Sequence, residues 1–231
     1  MQKNTAEQLK QAPLTPTGLY RTAGWLSLLM LALIPIQIVL FAIYPPPDSA
    51  EGFLMLYQQN KLLGLTSLDF LYLLNSVILI FIYLALFFRL FRAFPSLSAT
   101  ALALGLVGIA CYFPSNPAFE MLALSGKYAA ASADSQTILL AAGEALMAGY
   151  TGTAFVVYYV LNAIALILYA AAMLKSARES KKIAWFGVAA GILMLVPSSA
   201  GAPGMIFSLA SLVPWVPFLI LLAKDLLGNA P

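Results

Sequence analysis

Residues 115–150 have the sequence SNPAFEMLALSGKYAAASADSQTILLAAGEALMAGY and lie between two long apolar segments. This stretch is neither a membrane span nor a short loop. It carries three of the nine acidic residues of the chain, Glu120, Asp134 and Glu144. Its pattern predicts two amphipathic helices between about 115 and 148, and Asp134 suits the N-cap of the second. We expect both helices on the outer face of the protein, where they would cover any outward-facing site.

The composition predicts a membrane protein. Of the 231 residues, 62% are hydrophobic and 9% are charged, whereas a soluble domain is about half apolar and about a quarter charged. So few charges could not cover a soluble globule of this size. The length suits a single bundle of about six spans of roughly 20 residues each.

The residue types that are missing exclude several kinds of chemistry. The chain has no histidine and one cysteine, Cys111. Ser-His-Asp and Cys-His catalysis, zinc sites with imidazole ligands and histidine-ligated haem are therefore excluded. Phosphate-loop and dinucleotide signatures are also absent. We predict no catalytic residue, no metal and no cofactor, and the sequence favours a role other than catalysis.

The apolar segments predict an all-α fold in which residues 19–231 form one transmembrane domain of six helices. A polar cytoplasmic tail, residues 1–18, precedes it. Pro45, Pro46 and Pro47 end the first span, and Pro114 ends the third. The six predicted spans are about 22–44, 62–88, 98–113, 149–174, 183–196 and 205–223.

The basic residues predict the orientation of these spans. With both termini in the cytoplasm, ten of the 12 basic residues lie inside, as the positive-inside rule requires. Only Lys61 and Lys127 then lie outside. We therefore expect a multi-pass protein of the bacterial plasma membrane. The ten inside residues are Lys3, Lys10, Arg21, Arg89, Arg92, Lys175, Arg178, Lys181, Lys182 and Lys224.

Polar residues inside the second and fourth spans predict a pocket. At 100° per residue, Asp69 and Tyr72 share one stripe of the second span, and Tyr158 and Asn162 share a stripe of the fourth. Asn75 lies about 120° away from Asp69. Intramembrane polar residues usually face the bundle interior or a wet cavity. We expect an outward-open pocket between spans 2, 3 and 4.

Each of these residues also has a purely structural interpretation. Asn75 and Asn162 could simply hydrogen-bond one helix to the next, for about 0.6 kcal/mol each. Asp69 has no basic partner within the predicted spans, so it would be protonated, solvated, or contacted by Lys61 or tyrosine hydroxyls. Both interpretations stay open at this stage.

The mouth of the expected pocket lies under the stretch 115–150. Asn116 and Glu120 are four residues apart and share a helix face. Glu144 precedes the fourth span and could point into the same mouth. The alternative is that Glu120 and Glu144 are solvated surface charges. In the fifth span, Gly187 and Gly191 form a small-xxx-small pair that would let another helix approach closely.

The chain resembles a bacterial family of small six-span integral membrane proteins known only as a domain of unknown function. The resemblance rests on LYRTAG at 19–24 and LLGLTSLDFLYLL at 62–74. Its most specific part is SNPAFEMLALSGKYAAA followed by ILLAAGEALMAGYTGTAF, within 115–155. It implies the six-helix architecture and a bacterial source, and it implies no activity.

Three functions are compatible with these observations. The first is a protein that binds, or also transports, a small or amphipathic ligand in the pocket. The second is a structural or regulatory subunit that packs against another membrane protein through the Gly187/Gly191 face. The third is a membrane enzyme acting on lipid through aspartate and glutamate side chains. Expected partners are membrane lipids, a small-molecule or lipid ligand, and a membrane protein, but no nucleic acid.

Overall fold

The structure, a computed structural model, describes residues 17–228. These residues form ten α-helices and no strand, so the prediction of an all-helical fold is confirmed for this part of the chain. Residues 1–16 of the predicted polar tail lie outside the described residues, and Thr17 and Gly18 already belong to the first helix. The helices are α1 (Thr17–Ile43), α2 (Ala50–Gln59), α3 (Lys61–Ser67), α4 (Phe70–Leu90), α5 (Pro95–Ser115), α6 (Ala118–Ala130), α7 (Ala133–Tyr150), α8 (Thr153–Lys175), α9 (Lys181–Leu193) and α10 (Gly201–Gly228).

Five helical segments of residues 17–228 are long and apolar enough to cross a membrane. They are α1, α4, α5 continued by α6, α7 continued by α8, and α10. Together with the composition of the chain, these segments indicate a membrane-embedded protein.

The predicted span at 183–196 differs from the others. In its place α9 has 13 residues, which makes it about 20 Å long, shorter than the roughly 30 Å of a bilayer core. The helix ends at Leu193, whose carbonyl lacks a helical donor because the residue four positions on is Pro197, which has no N–H. The chain then turns through residues 194–200 into α10. The prediction of six spans therefore stays a prediction.

Six helices form a closed ring in which each packs against the next. The order around the ring is α1, α4, α5, α8, α9 and α10, and α10 packs back against α1. The largest cluster of buried side chains lies inside this ring and includes Ile82, Leu86, Leu166 and Leu222. Burial of such side chains supplies the packing that holds the helices together.

Glycines on two helices, α5 and α9, allow close contact with their neighbours. On α5, Gly105 lies against the ring of Tyr83, and Gly108 lies against Asn162 of α8. On α9, Gly187 and Gly191 pack against α8 and α10. The small-xxx-small face singled out in the sequence is therefore buried within this chain.

One end of the ring, which we call the capped end, is covered by α2, α3, α6 and α7. These four helices pack against one another. The Tyr57 hydroxyl donates to the carbonyl of Ala118 at 2.8 Å, and Ser125 Oγ donates to the carbonyl of Leu54 at 2.6 Å. Burial raises the pKa of Tyr57, so its hydroxyl stays protonated as a donor.

The opposite end, which we call the basic end, is joined by an ionic triad. Arg89 of α4 donates from Nε to Glu179 at 2.7 Å, and its Nη1 contacts the carboxylate of Asp225 on α10. Glu179 is buried in the connection between α8 and α9. One guanidinium therefore links three parts of the ring, where its planar fork suits two carboxylates.

Replacing Gly108 by alanine tests the close approach of α5 and α8. A Cβ at this position would lie 2.4 Å from Asn162 Nδ2 and 3.2 Å from the Tyr158 carbonyl. We expect Gly108→Ala to lower the free energy of unfolding by about 1–3 kcal/mol through overpacking. Thermal unfolding in detergent, followed by circular dichroism, measures the change.

Gly126→Ala is the matched control, because nothing lies within 4 Å of a Cβ added at Gly126 of α6. Alanine should stabilise that helix by up to about 1 kcal/mol. Equal effects of the two substitutions would contradict the proposed packing of α5 on α8.

Candidate functional site

The ring encloses a cavity of about 380 Å³. Residues of α1, α4, α8 and α10 line it, together with the turn between α9 and α10. Among residues 17–228, α5 contributes no side chain to the lining. The pocket expected between spans 2, 3 and 4 is thus bounded by α1 and α10 and not by α5, which packs too tightly on α8 to leave space.

Asp69 reaches this cavity because the second predicted span is interrupted. Instead of one helix over 62–88, α3 ends at Ser67 and α4 begins at Phe70. Asp69 has a φ of 57°, and it is the one residue other than glycine within 17–228 with a positive φ. This conformation is unfavourable for most side chains and is tolerated best by asparagine and aspartate. It persists where surrounding contacts enforce it.

Asn116 supplies the contacts that hold the interruption. Its Nδ2 donates to the carbonyl of Leu68 at 2.7 Å, and its Oδ1 accepts from the backbone N–H of Ala118 at 3.1 Å. Asn116 is 6% exposed, so both bonds lie in a low-dielectric environment where they are strong. The side chain joins the end of α3 to the start of α6, and its structural role is to place Asp69.

Two side chains contact the Asp69 carboxylate. The Tyr150 hydroxyl, at the end of α7, donates to Oδ2. Gln37 Nε2, on α1, lies 3.5 Å from Oδ1 and donates to the Thr66 carbonyl at 3.2 Å. Within residues 17–228, no lysine or arginine forms an ion pair with Asp69. The carboxylate therefore keeps acceptor capacity that faces the cavity.

Three amide oxygens around the cavity are buried without a hydrogen-bond partner among the described residues. They are Gln37 Oε1, Asn75 Oδ1 and Asn162 Oδ1. Asn162 is 1% exposed, and its Nδ2 donates to the Tyr158 carbonyl at 2.8 Å. Buried amide oxygens normally have a partner. An unpaired set on three helices around one cavity indicates that water or a ligand supplies the donors.

Aromatic side chains form one wall of the cavity. The rings of Tyr72 and Tyr158 meet edge to face, with centroids 6.2 Å apart, and Phe155 and Tyr159 continue the cluster. The Tyr159 hydroxyl donates to Ser208 Oγ of α10 at 2.8 Å. The wall presents ring faces and edges next to the acceptor groups, a combination suited to an organic cation.

Exposed side chains of α1 and α10 form part of the cavity lining, which indicates an opening between these two helices. These helices close against each other at the basic end, where Leu227 and the Ala223 carbonyl leave no room for a side chain on Gly24. Farther along, Ile38 and Leu209 line the cavity and are 51% and 57% exposed. Since both side chains are apolar and face outward, this opening would face lipid in a membrane.

The structure brings five of the residues singled out in the sequence together around the cavity. Asp69, Tyr72, Asn75, Tyr158 and Asn162 all line it.

The other residues singled out in the sequence lie elsewhere. Asn116 lies behind the interruption at Asp69, whereas Glu120 and Glu144 are exposed on the cap and do not line the cavity. Gly187 and Gly191 pack inside the ring.

Two residues that contact Asp69, Gln37 and Tyr150, are not predicted from the sequence. Gln37 stood out as an amide within the otherwise apolar first span, and that signal was available. For Tyr150 the sequence offers no such signal, because nothing in its spacing indicates that it reaches across to Asp69.

Comparisons with protein-family models, curated proteins and solved structures found no match. The resemblance to the six-span family therefore stays a prediction, and the function is inferred from the geometry of the cavity.

Removing the Asn116 side chain should loosen the interruption that places Asp69. Asn116→Ala leaves the Leu68 carbonyl and the Ala118 N–H without their partner, at a cost of about 1–3 kcal/mol each if they stay buried. We expect a lower melting temperature and faster hydrogen exchange over residues 66–72.

Asn116→Asp is the matched variant, because it keeps the acceptor for the Ala118 N–H and removes the donor to Leu68. Because the site is buried, a carboxylate there also loses its hydration and opposes the Leu68 carbonyl oxygen, so the effect of Asn116→Asp should be at least as large as that of Asn116→Ala. Unchanged exchange at 66–72 in both variants would show that Asn116 does not hold this turn.

Proposed function

We propose that this chain is a bacterial plasma-membrane protein that binds a small amphipathic ligand in the cavity between α1, α4, α8 and α10. One observation carries the proposal: Gln37, Asn75 and Asn162 all line a cavity of about 380 Å³, and each has a buried amide oxygen without a partner among the described residues. Ligand pockets in proteins typically have volumes of about 300–1,000 Å³ and combine apolar walls with a few polar groups.

The energetics of the amides support a ligand over an empty cavity. Each buried acceptor without a partner costs about 1–3 kcal/mol. Three such groups together cost a substantial part of the roughly 5–15 kcal/mol that stabilises a typical domain. A ligand or bound waters that donate to these oxygens would offset this cost.

The apolar part of the lining supports an amphipathic ligand. Side chains such as Ile34, Phe41, Leu79 and Leu212 face the same space as Asp69. The opening beside Ile38 and Leu209 would admit a molecule from the bilayer. A polar group at the acceptors and an apolar part against these side chains would match both halves of the lining.

The distribution of charge supports the orientation within this proposal. The helix order places Arg21, Arg89, Arg92, Lys175 and Lys224 at the basic end. By the positive-inside rule that end is cytoplasmic, so the cap would lie outside. In the proposed topology α9 and the turn that follows it form a sixth, shorter membrane segment.

The positions of two glycines and two glutamates favour ligand binding over a packing subunit or a lipid-acting enzyme. The Gly187/Gly191 face is occupied by α8 and α10 of the same chain, so it offers no free docking surface. Glu120 and Glu144 are exposed on the cap and are not assembled with Asp69. The geometry supports binding, and transport is not part of the proposal.

Trp215 offers a direct test because it lines the cavity, whereas Trp25 and Trp185 are exposed. Replacing Trp25 and Trp185 by phenylalanine leaves Trp215 as the single tryptophan, since the chain has three. We expect bromoundecanol to quench Trp215 fluorescence saturably in lipid nanodiscs, and undecanol to reverse the quenching. Fluorescence titration measures the effect.

A protein that keeps only Trp25 is the control, because that side chain would report the probe dissolved in lipid. Its quenching should rise without saturation. Ser208→Phe, which fills part of the cavity, should abolish saturable quenching of Trp215 while far-ultraviolet circular dichroism stays unchanged. Non-saturable quenching of Trp215 would contradict the proposed function.

A further inference from the structure

The acceptors of the cavity are arranged in two tiers along the axis of α4. The first tier lies at the capped end, where the Asp69 carboxylate and Gln37 are 3.5 Å apart. The Nε2 of Gln37 is used by Asp69 and the Thr66 carbonyl, so its Oε1 remains as a second acceptor beside the carboxylate. We call this pair the acidic tier.

The second tier consists of Asn75 and Asn162. The rings of Tyr72 and Tyr158 are neighbours, and α4 and α8 both run from the capped end to the basic end. Asn75 follows Tyr72 by three residues and Asn162 follows Tyr158 by four, which places the two amides about 4.5 Å and about 6 Å below the ring pair. They therefore lie at nearly the same depth. We call this pair the amide tier.

The two tiers are separated by a defined distance. Asn75 is six residues after Asp69, which corresponds to about 9 Å along the helix axis. Between the tiers lie Tyr72 and Tyr158, with the apolar side chain of Leu71 beside Tyr72 on α4. A ligand that satisfied both tiers would carry two hydrogen-bond donors at this separation, joined by an apolar segment.

Charge distinguishes what the two tiers would accept. Asp69 carries the one acidic group in the lining, and no lysine or arginine of residues 17–228 lines the cavity. A cationic donor is therefore matched at the acidic tier. The amide tier offers carbonyl oxygens without formal charge, so a neutral hydroxyl or amide N–H suffices there.

We propose that the cavity binds an elongated amino alcohol, with an N–H-bearing ammonium group at Asp69 and Gln37 and a hydroxyl group at Asn75 and Asn162. This inference rests on the proposed function and narrows it to one class of ligand. A quaternary ammonium is a poor match, because it cannot donate to the Gln37 oxygen or to the carboxylate. The tyrosine wall contacts the methylene segment between the two donor groups.

A competition series tests the class of ligand on the wild-type cavity. In the protein that keeps only Trp215, bound bromoundecanol is displaced by aminohexanol, hexylamine, hexanol or hexyltrimethylammonium. We expect aminohexanol to have the highest apparent affinity of the four. The apparent affinities of hexanol and hexyltrimethylammonium should be at least tenfold lower, because each lacks one charge-assisted hydrogen bond. Hexylamine should fall between these limits.

Two variants assign the ends of the ligand. In Asp69→Asn, the apparent affinity of aminohexanol should exceed that of hexanol by less than threefold, because the substitution removes the charge at the acidic tier. In Asn75→Leu, aminohexanol and hexylamine should compete with equal apparent affinity. Both should still compete better than hexanol. Glu120→Gln, on the exposed cap, is the control and should leave all four competitors unchanged.

The outcomes separate this inference from the proposed function. Saturable binding of bromoundecanol without any preference for the amine would overturn the inference while the proposed function stands. If Asp69→Asn does not fold, the competitor series on the wild-type cavity decides the inference. No saturable binding of any probe would overturn both.

Discussion

The hydrogen bond from Asn116 to the Leu68 carbonyl is the contact on which the cavity depends. It fixes the interruption between α3 and α4, and with it the left-handed conformation of Asp69. Without the interruption, residues 64–73 would form one continuous helix with paired backbone groups. The position of Asp69 on that helix would then determine the direction of its carboxylate. The same amide anchors the start of α6. The cap and the acidic group of the cavity are therefore positioned by one side chain.

The position of the cavity follows from uneven packing around the ring. Gly105 and Gly108 bring α5 onto α4 and α8, and Gly187 and Gly191 bring α9 onto α8. This half of the ring is filled. On the other half, α1 and α10 approach closely near the basic end at Gly24 and expose apolar side chains farther along. The glycine contacts fill one side of the ring, and the larger side chains on the other side keep α1 and α10 from closing the interior. In a membrane, that side would face lipid.

The sequence predicted the helical fold because apolar length alone determines it in this composition. Helical periodicity also placed Asp69 with Tyr72, and Tyr158 with Asn162, on common faces, and the structure brings these residues to one cavity. The interruption at Asp69 could not be predicted, since no proline or glycine marks it and its cause is Asn116, 48 residues away in sequence. Tyr150 and Gln37 reach Asp69 through tertiary packing that local periodicity does not encode. Glu120 and Glu144 share the stretch above the ring, but the docking of the cap leaves them exposed.

The most direct test of the two-tier cavity is an electron cryo-microscopy map of the protein purified from its native membrane into lipid nanodiscs. The map should resolve individual side chains and bound waters. The account predicts non-protein density that spans from Asp69 and Gln37 to Asn75 and Asn162, with polar contacts at both ends. A closed interior in which these amides pair with each other, or density that contacts apolar side chains alone, would contradict it.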